Sequence, residues 1–453
     1  MKLTRIMFSE GITHGMVVWF LIGSLLGVML FIKLYLLEAL IPATLEMSEI
    51  TLPALPPTRN QAAYDSYLNG IDHGLDGANE RSIAQYTRAV VEDPEFSLAW
   101  AALSQAHSAM YFVGTDPTEE RLTMARNAVD RAFQLDADLP EAHLALAYVY
   151  YRGSNDYERA LEELAIAEPH FPDNVDLLKT RAFIYRSIGE WNAALYELER
   201  ASEIKPENVE LLEEQALTHL LNRDYLIAES FMNKVIEKAP EHEAAQIQKA
   251  MIDLRRDGNS SSLAVAGQSF LGSGRPWISW LAAFIQRDYV AARQALDETV
   301  SDTLVWGEGY MPKPLAYGLT QHWAGNVEIA QLYFQDAREI LEQDLETDPE
   351  NPDLLIALGE ALAHLGAQQS AVRMARRVIE VPPVSNDLFS APRYRLSAAR
   401  VLAAAGDYEG AIAELETYLS SPGRYSLNGV LSDPRFDVLL DKPGFSALIN
   451  RHR

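Results

Sequence analysis

The 453-residue chain has no cysteine, so a disulfide framework, a thiolate metal site and a cysteine nucleophile are all excluded. Basic residues are scarce: 38 Lys and Arg stand against 64 Asp and Glu, a formal charge of −26. Nucleic-acid binding needs a clustered basic face to meet phosphates, and so does a broad contact with anionic lipid. Neither fits this balance. The acidity is spread through stretches such as EELAIAE, ELLEEQ and LEQDLETDPE and reads as a solvated outer surface. Catalytic signatures are missing too, with no GxxxxGK[ST] phosphate loop, no HExxH and no GxSxG. The ten histidines are scattered, and His107, His143 and His219 fall at helix positions that suit packing or surface roles. The expectation is a protein that is not an enzyme and needs no cofactor and no metal.

What is present is a rhythm. Ala194, Leu198, Ala201 and Pro206 are answered 34 residues later by Ala228, Met232, Val235 and Pro240. In the copy starting at Val175, Ala182 offers a small side chain where two helices cross, and Tyr185 follows on the same face. Gly189 ends the first helix, while Ala194, Leu198 and Ala201 form the buried stripe of the second. Pro206 then forces the chain into the next pair. This pattern resembles the tetratricopeptide repeat, TPR. The template extends back to Gly70, Tyr86 and Ala89 and forward to Gly359, Ala371, Ala375, Gly406 and Ala411. It predicts an all-α superhelical solenoid of about nine or ten helix pairs, some degenerate, with a concave inner face. No long alternating strand pattern competes. The tail SDPRFDVLLDKPGFSALINRHR offers Phe436, Leu439, Leu440, Phe445 and Leu448 to cover an open hydrophobic end.

In the TPR family the first helix of each pair lines the groove, at about the second, fifth, sixth, ninth and twelfth positions. The resemblance therefore implies a protein-binding groove at Gln105, Leu144, Tyr148, Tyr151, Lys179, Phe183, Arg186, Glu210, Glu213 and Glu214. The Lys and Asn pattern with which some family members clamp a C-terminal carboxylate is missing, and the three glutamates speak mildly for a basic or helical segment. Four of the seven tryptophans, Trp277, Trp280, Trp306 and Trp323, gather with Tyr310 and Tyr317 where the register weakens. They read as core filling an irregular gap.

Met16 to Ile32 runs MVVWFLIGSLLGVMLFI without a charge, and after Lys33 the apolar character resumes. This predicts a single transmembrane helix over residues 15–41, with a cleaved signal peptide as the runner-up reading. Lys2 and Arg5 lie before it, and Glu38, Glu46 and Glu49 lie towards and beyond its far end. The positive-inside rule then places the N-terminus in the cytoplasm and the repeats in the periplasm of a bacterial inner membrane. Gly23 and Gly27 form a GxxxG face that could pair two copies as a homodimer through this helix, the alternative being a lipid-facing or partner-facing groove. The expected organisation is a cytoplasmic stub over 1–14, the helix over 15–41, a Pro-containing linker over 42–62 and an N-terminal repeat array over 63–256. An irregular Gly/Ser-rich seam over 257–276, a degenerate array over 277–425 and a cap over 426–453 complete it.

The opening AAYDSYLNGIDHG and the ending LSDPRFDVLLDKPGFSALI, together with the membrane helix and linker, are similar to TPR sensor regions of bacterial winged-helix regulators and adenylate cyclases. Those carry an N-terminal effector domain, and MKLTRIMFSEGITH is too short to be one, so neither activity transfers. The function expected is a membrane-anchored TPR adaptor or scaffold that helps assemble or stabilise an envelope or membrane protein complex. The alternatives are a sensor subunit acting through a separate cytoplasmic effector and an accessory to a cell-envelope enzyme.

Overall fold

The computed structural model describes residues 57–75, 79–112, 116, 118–269, 277–306, 309–380 and 387–453. The predicted transmembrane helix, Gly23, Gly27 and most of the linker lie outside the described residues. Among the described residues, no helix is long and apolar enough to cross a membrane.

The described chain folds into ten consecutive helix pairs. The first five are α1 (Gln61–Leu75) with α2 (Asn79–Glu92), α3 (Ser97–Phe112) with α4 (Glu119–Leu135), α5 (Pro140–Val149) with α6 (Tyr157–Ala167), α7 (Val175–Ile188) with α8 (Trp191–Ile204), and α9 (Val209–Leu221) with α10 (Tyr225–Lys238). The next five are α11 (Glu243–Asp257) with α12 (Ser261–Ser269), α13 (Trp277–Ile285) with α14 (Tyr289–Asp297), α15 (Lys313–Trp323) with α16 (Val327–Thr347), α17 (Pro352–His364) with α18 (Gln368–Glu380), and α19 (Ala391–Ala404) with α20 (Tyr408–Leu419). A short α21 (Leu427–Leu431), a 3₁₀ turn at Pro434–Leu439 and α22 (Pro443–His452) follow. One element departs from the helical plan. Strands β1 (Thr303–Trp306) and β2 (Gly309–Pro312) form an antiparallel hairpin between the seventh and eighth pairs, with Leu304 opposite Met311. Both of these side chains are buried in the core.

Local chemistry explains the pairs. Asparagines cap several first helices: Asn174, Asn208 and Asn351 accept from the amides of Leu177, Leu211 and Leu354 at 2.9, 3.0 and 3.1 Å. Aspartates cap several second helices, as Asp288 and Asp407 do for Ala291 and Gly410. Within a pair, the crossing point joins a small residue to a large one sixteen positions on. A methyl group added at Gly318 would come within 2.6 Å of the Phe334 ring, and one at Gly70 would overlap the Tyr86 ring. Ala182 and Leu198 make the same match at normal size, both fully buried. The resulting cores follow one another along the chain, as nearest-neighbour stacking requires.

Eight successive first helices end in a left-handed residue: Asn155, Gly189, Arg223, Gly258, Arg287, Gly325, Gly366 and Gly406. Glycine takes this conformation without strain, whereas arginine at φ near +60° costs about 1 kcal/mol or more. The two arginines have a reason to be there. Arg223 donates to the carbonyls of Tyr418, Leu419 and Tyr425 at 2.9, 3.3 and 3.0 Å, and Arg287 bonds Asp437. Gly189 and Gly258 sit against Leu388 and against Asn428 and Ser432. Four consecutive turns therefore form a rail on which residues 387–389 and 418–437 dock. Further bonds run from Leu388 N to Ser187 O at 2.8 Å, from Gly423 N to Leu221 O at 2.7 Å and from Ser426 N to Arg255 O at 2.8 Å. The solenoid thus folds back on its own middle repeats. Phe436, Leu439, Phe445 and Leu448 bury in the last core, whereas Leu440, expected there too, is exposed at the end of the 3₁₀ turn.

Candidate functional site

The groove residues expected from the repeat positions lie on the first helices α3, α5, α7 and α9 and on the π turn after α5. The structure brings most of them together across repeat boundaries. Lys179 bonds Glu210 at 2.9 Å and Asp176 at 3.3 Å. Burial pulls the Lys179 pKa down, but these two carboxylates outweigh it and hold it above the usual value. Arg186, buried, donates to Glu214 at 2.7 Å and covers the ring of Phe183 at 4.5 Å. Glu213 faces His242 at 3.5 Å, and burial raises its pKa. The three glutamates read as an acidic docking feature are thus each matched by a basic side chain of the next or preceding repeat. Tyr148 is buried beneath the Arg152 guanidinium at 4.2 Å, Leu144 is buried beside it in the core, and Gln105 is half-buried on α3. Tyr151 packs its ring against Phe112 and Tyr157, and burial raises its pKa. At Arg186 the docked arm arrives, with the Phe389 ring 4.7 Å from the guanidinium.

The later pairs are different. Where α15, α17 and α19 succeed one another, a hollow of about 580 Å³, counting its open mouth, lies between them. With Gly359 as the eighth position, Asp353, Ile356, Ala357 and Glu360 are the second, fifth, sixth and ninth positions of their repeat. All four line the hollow. Ser397 and Arg400 enter from α19 and Leu315 from α15. Trp280 of α13 and Met311 of β2 close one side, and Arg435 from the docked cap closes another. The same positional rule that points to the earlier groove would have found the α17 residues. The contributions of α13, the hairpin and the cap carry no such mark, because they come from elements far along the chain.

A buried charge chain borders this hollow. Asp433 accepts from Arg400 Nε at 2.9 Å and from Arg435 Nη2 at 2.8 Å, and Arg435 Nη1 reaches Glu360 at 3.3 Å. Burial alone would raise the Asp433 pKa, but Arg435 and Arg400 outweigh it and hold the carboxyl down at about 2. Asp353 is held by Arg393 at 3.1 Å. The tryptophan cluster is split between two tasks. Trp277 and Trp280 are core, the latter donating to Thr320 at 3.0 Å, while half-buried Trp323 donates to the Pro434 carbonyl and pins the cap. Of the histidines, His107 lies 2.9 Å from Arg121 and burial lowers its pKa to about 4, while His143 bonds Glu163 at 2.6 Å. His219 faces Asp224 at 3.3 Å. Among the described residues, no group of three or more His, Asp or Glu side chains could hold a metal ion.

Residues 324–385, spanning the end of the eighth pair and the ninth, match the family described as Tetratricopeptide repeat. This segment carries a tetratricopeptide repeat. Among solved structures it is similar to a thermophilic TPR protein of Thermus thermophilus, with 19% identity and a TM-score of 0.36 over 42% of this chain and 98% of that one. It is also similar to PilF of Pseudomonas aeruginosa, with 14% identity and a TM-score of 0.34 over 53% of this chain and 91% of that one. A third similar structure is YrrB, a TPR protein with an unusual peptide-binding site, at 15% identity and a TM-score of 0.29 over 42% of this chain and 91% of that one. No curated protein matches the sequence.

Proposed function

We propose that this TPR protein is an adaptor that holds a protein partner on its concave side and is anchored to a bacterial inner membrane by the apolar segment over residues 15–41. The observation that carries the reading is the hollow across α15, α17 and α19, which falls on the positions where repeats of this kind present their groove. The uncharged run from Met16 to Ile32 supports the anchor, and the placing of Lys2 and Arg5 supports a cytoplasmic N-terminus with the repeats in the periplasm. Gly23 and Gly27 would let two such anchors pair. The partner is a subunit of an envelope or membrane complex, which the adaptor helps to assemble or stabilise.

A photo-crosslinking residue in place of Tyr310, which lines the hollow and already carries an aromatic ring, and another at Val290 on the outer surface, tests the docking side in intact cells. Val290 is 82% exposed and Tyr310 half-buried, so both positions accept the probe. A discrete adduct from Tyr310 alone supports the reading, and equal labelling from both positions defeats it. A phosphatase fused after Arg453 tests the orientation: activity in the periplasm is expected, and activity confined to the cytoplasm reverses the assignment. Replacing Gly23 and Gly27 with Ile is expected to abolish self-association of the span.

A further inference from the structure

The hollow across α17 and α19 is lined by apolar and polar side chains together. Trp280, Met311, Leu315, Ile356 and Ala357 supply apolar surface. Glu360, only 4% exposed, borders it from α17, and Arg400 borders it from α19. Around it three arginines, Arg393, Arg400 and Arg435, face three carboxylates, Asp353, Asp433 and Glu360. The site is therefore neutral in sum and has no reason to select a ligand of strong net charge, although the whole chain carries −26.

What the hollow retains is unspent hydrogen-bonding capacity of both kinds. Arg435 is engaged at all three nitrogens, giving Nε and Nη2 to Asp433 and Nη1 to Glu360. Among the described residues Arg400 gives only Nε, to Asp433, and Glu360 accepts only at Oε1, from Arg435. Donors thus remain on α19 and acceptor lone pairs on α17, in a hollow that apolar side chains also line. A peptide main chain offers the complement, an N–H and a C=O on each residue with a side chain between. A strongly basic or acidic side chain would meet its own sign within the chain of ion pairs.

We propose that this hollow is a peptide subsite that takes one bulky apolar side chain (Leu, Ile, Met, Phe or Trp) from an extended, near-neutral segment, with Glu360 accepting from the main chain and Arg400 donating to it. The proposal rests on the adaptor reading and names the chemistry of its docking site. The docked arm belongs to the subsite, because Arg435 and Asp433 set the orientation of both polar groups.

The test is selection from a phage-displayed library of random dodecapeptides on the full-length protein in mild detergent, followed by fluorescence anisotropy with the enriched peptides. The expected peptides share one large apolar position and carry little net charge. Ala357→Leu and Ser397→Trp, which fill the hollow, are each expected to weaken binding at least tenfold, whereas Leu226→Ala and Val290→Ala, at exposed positions that do not line it, leave it within twofold. Ser397 is half-buried, so its variant stands if the change at buried Ala357 disturbs folding. Peptides of strong net charge, binding indifferent to Ser397→Trp, or no enrichment at all would overturn the subsite. Binding lost on Lys179→Ala instead would overturn it while leaving the adaptor reading intact, and the crosslinking at Tyr310 tests that reading separately.

Discussion

Arg287 and Asp437 stand 150 residues apart in the chain, yet one guanidinium nitrogen of Arg287 lies 2.7 and 2.9 Å from the two carboxylate oxygens of Asp437. The pair is at the edge of the docked arm, with side chains 46% and 37% exposed. At such exposure an ion pair contributes about 0.2–1 kcal/mol and is screened by salt. A double-mutant cycle with Arg287→Ala and Asp437→Ala, read from urea midpoints, should give a coupling in that range that shrinks at 1 M salt. A coupling of several kcal/mol would mean that the pair is far less exposed in solution.

Arg223 does more. It caps the last carbonyls of α20, at Tyr418 and Leu419, which have no partner within their own helix, and it reaches Tyr425 as well. Arg223→Ala loses these bonds and keeps a left-handed non-glycine residue. Arg223→Gly loses the same bonds and relieves the strain. Both should destabilise the protein, Arg223→Ala by about 2–3 kcal/mol and Arg223→Gly by about 1 kcal/mol less. Equal losses in denaturant titrations would show that the turn carries no strain.

Gly429 lies where α21 meets α11. A methyl group there would overlap the Arg255 carbonyl and come within 3.0 Å of the Leu254 carbonyl. Because both obstacles are backbone, Gly429→Ala should lift the arm locally. Hydrogen exchange at the Ser426 amide, which donates to Arg255 O at 2.8 Å, is expected to accelerate at least tenfold, while amides in α7 and α8 keep their protection. Unchanged exchange at Ser426 would show that the arm can shift to accept the methyl group.

Acid should weaken the fold in two steps. His364 stacks on Phe334 and faces His322, and burial first, then the charges of His322 and Arg435, lower its pKa to about 3. The unfolded chain binds a proton at this histidine near pH 6.5, the folded chain only near pH 3, so stability falls as the pH drops through that window. Asp433 acts lower down. Its carboxyl, held at about 2, favours the folded state above about pH 4, and that contribution, on the order of 2 kcal/mol, is lost between pH 4 and pH 2. His364→Phe should reduce the fall in melting temperature between pH 7 and pH 5. Asp433→Asn should cost about 3–5 kcal/mol at pH 7, because it leaves Arg400 and Arg435 without their shared carboxylate.

The repeats were legible because each pair is specified within its own residues. Ala182 against Leu198 and the caps Asn174 and Asn208 all lie within a few turns of what they touch. The docking of the arm was not legible, since it joins residues up to 202 positions apart. One trace of it stands in the sequence nonetheless. Arg223 and Arg287 occupy turn positions where Gly189 and Gly258 show what the backbone prefers, so a side chain retained there against strain marks a distant partner. The hairpin escaped notice because strands of four residues give too short an alternation to read. In the groove, position alone grouped Lys179, Arg186 and Glu214 on neighbouring first helices. It could not show that they spend their charges on one another.

Docking of the arm also bears on how the chain reaches and leaves its native state. In an open array each repeat needs only its neighbours, so fraying can start at either end and structure can spread from any point. Here the contacts between residues 418–437 and the turns at Arg223 and Arg287 close loops of 150 to 202 residues. Closing loops of that size costs chain entropy before it returns any stability, so the arm should join late in folding. Once joined, it ties the last repeats to the middle of the array. The C-terminal end then cannot melt back one helix pair at a time, and its unfolding becomes a single event shared with α9 through α14.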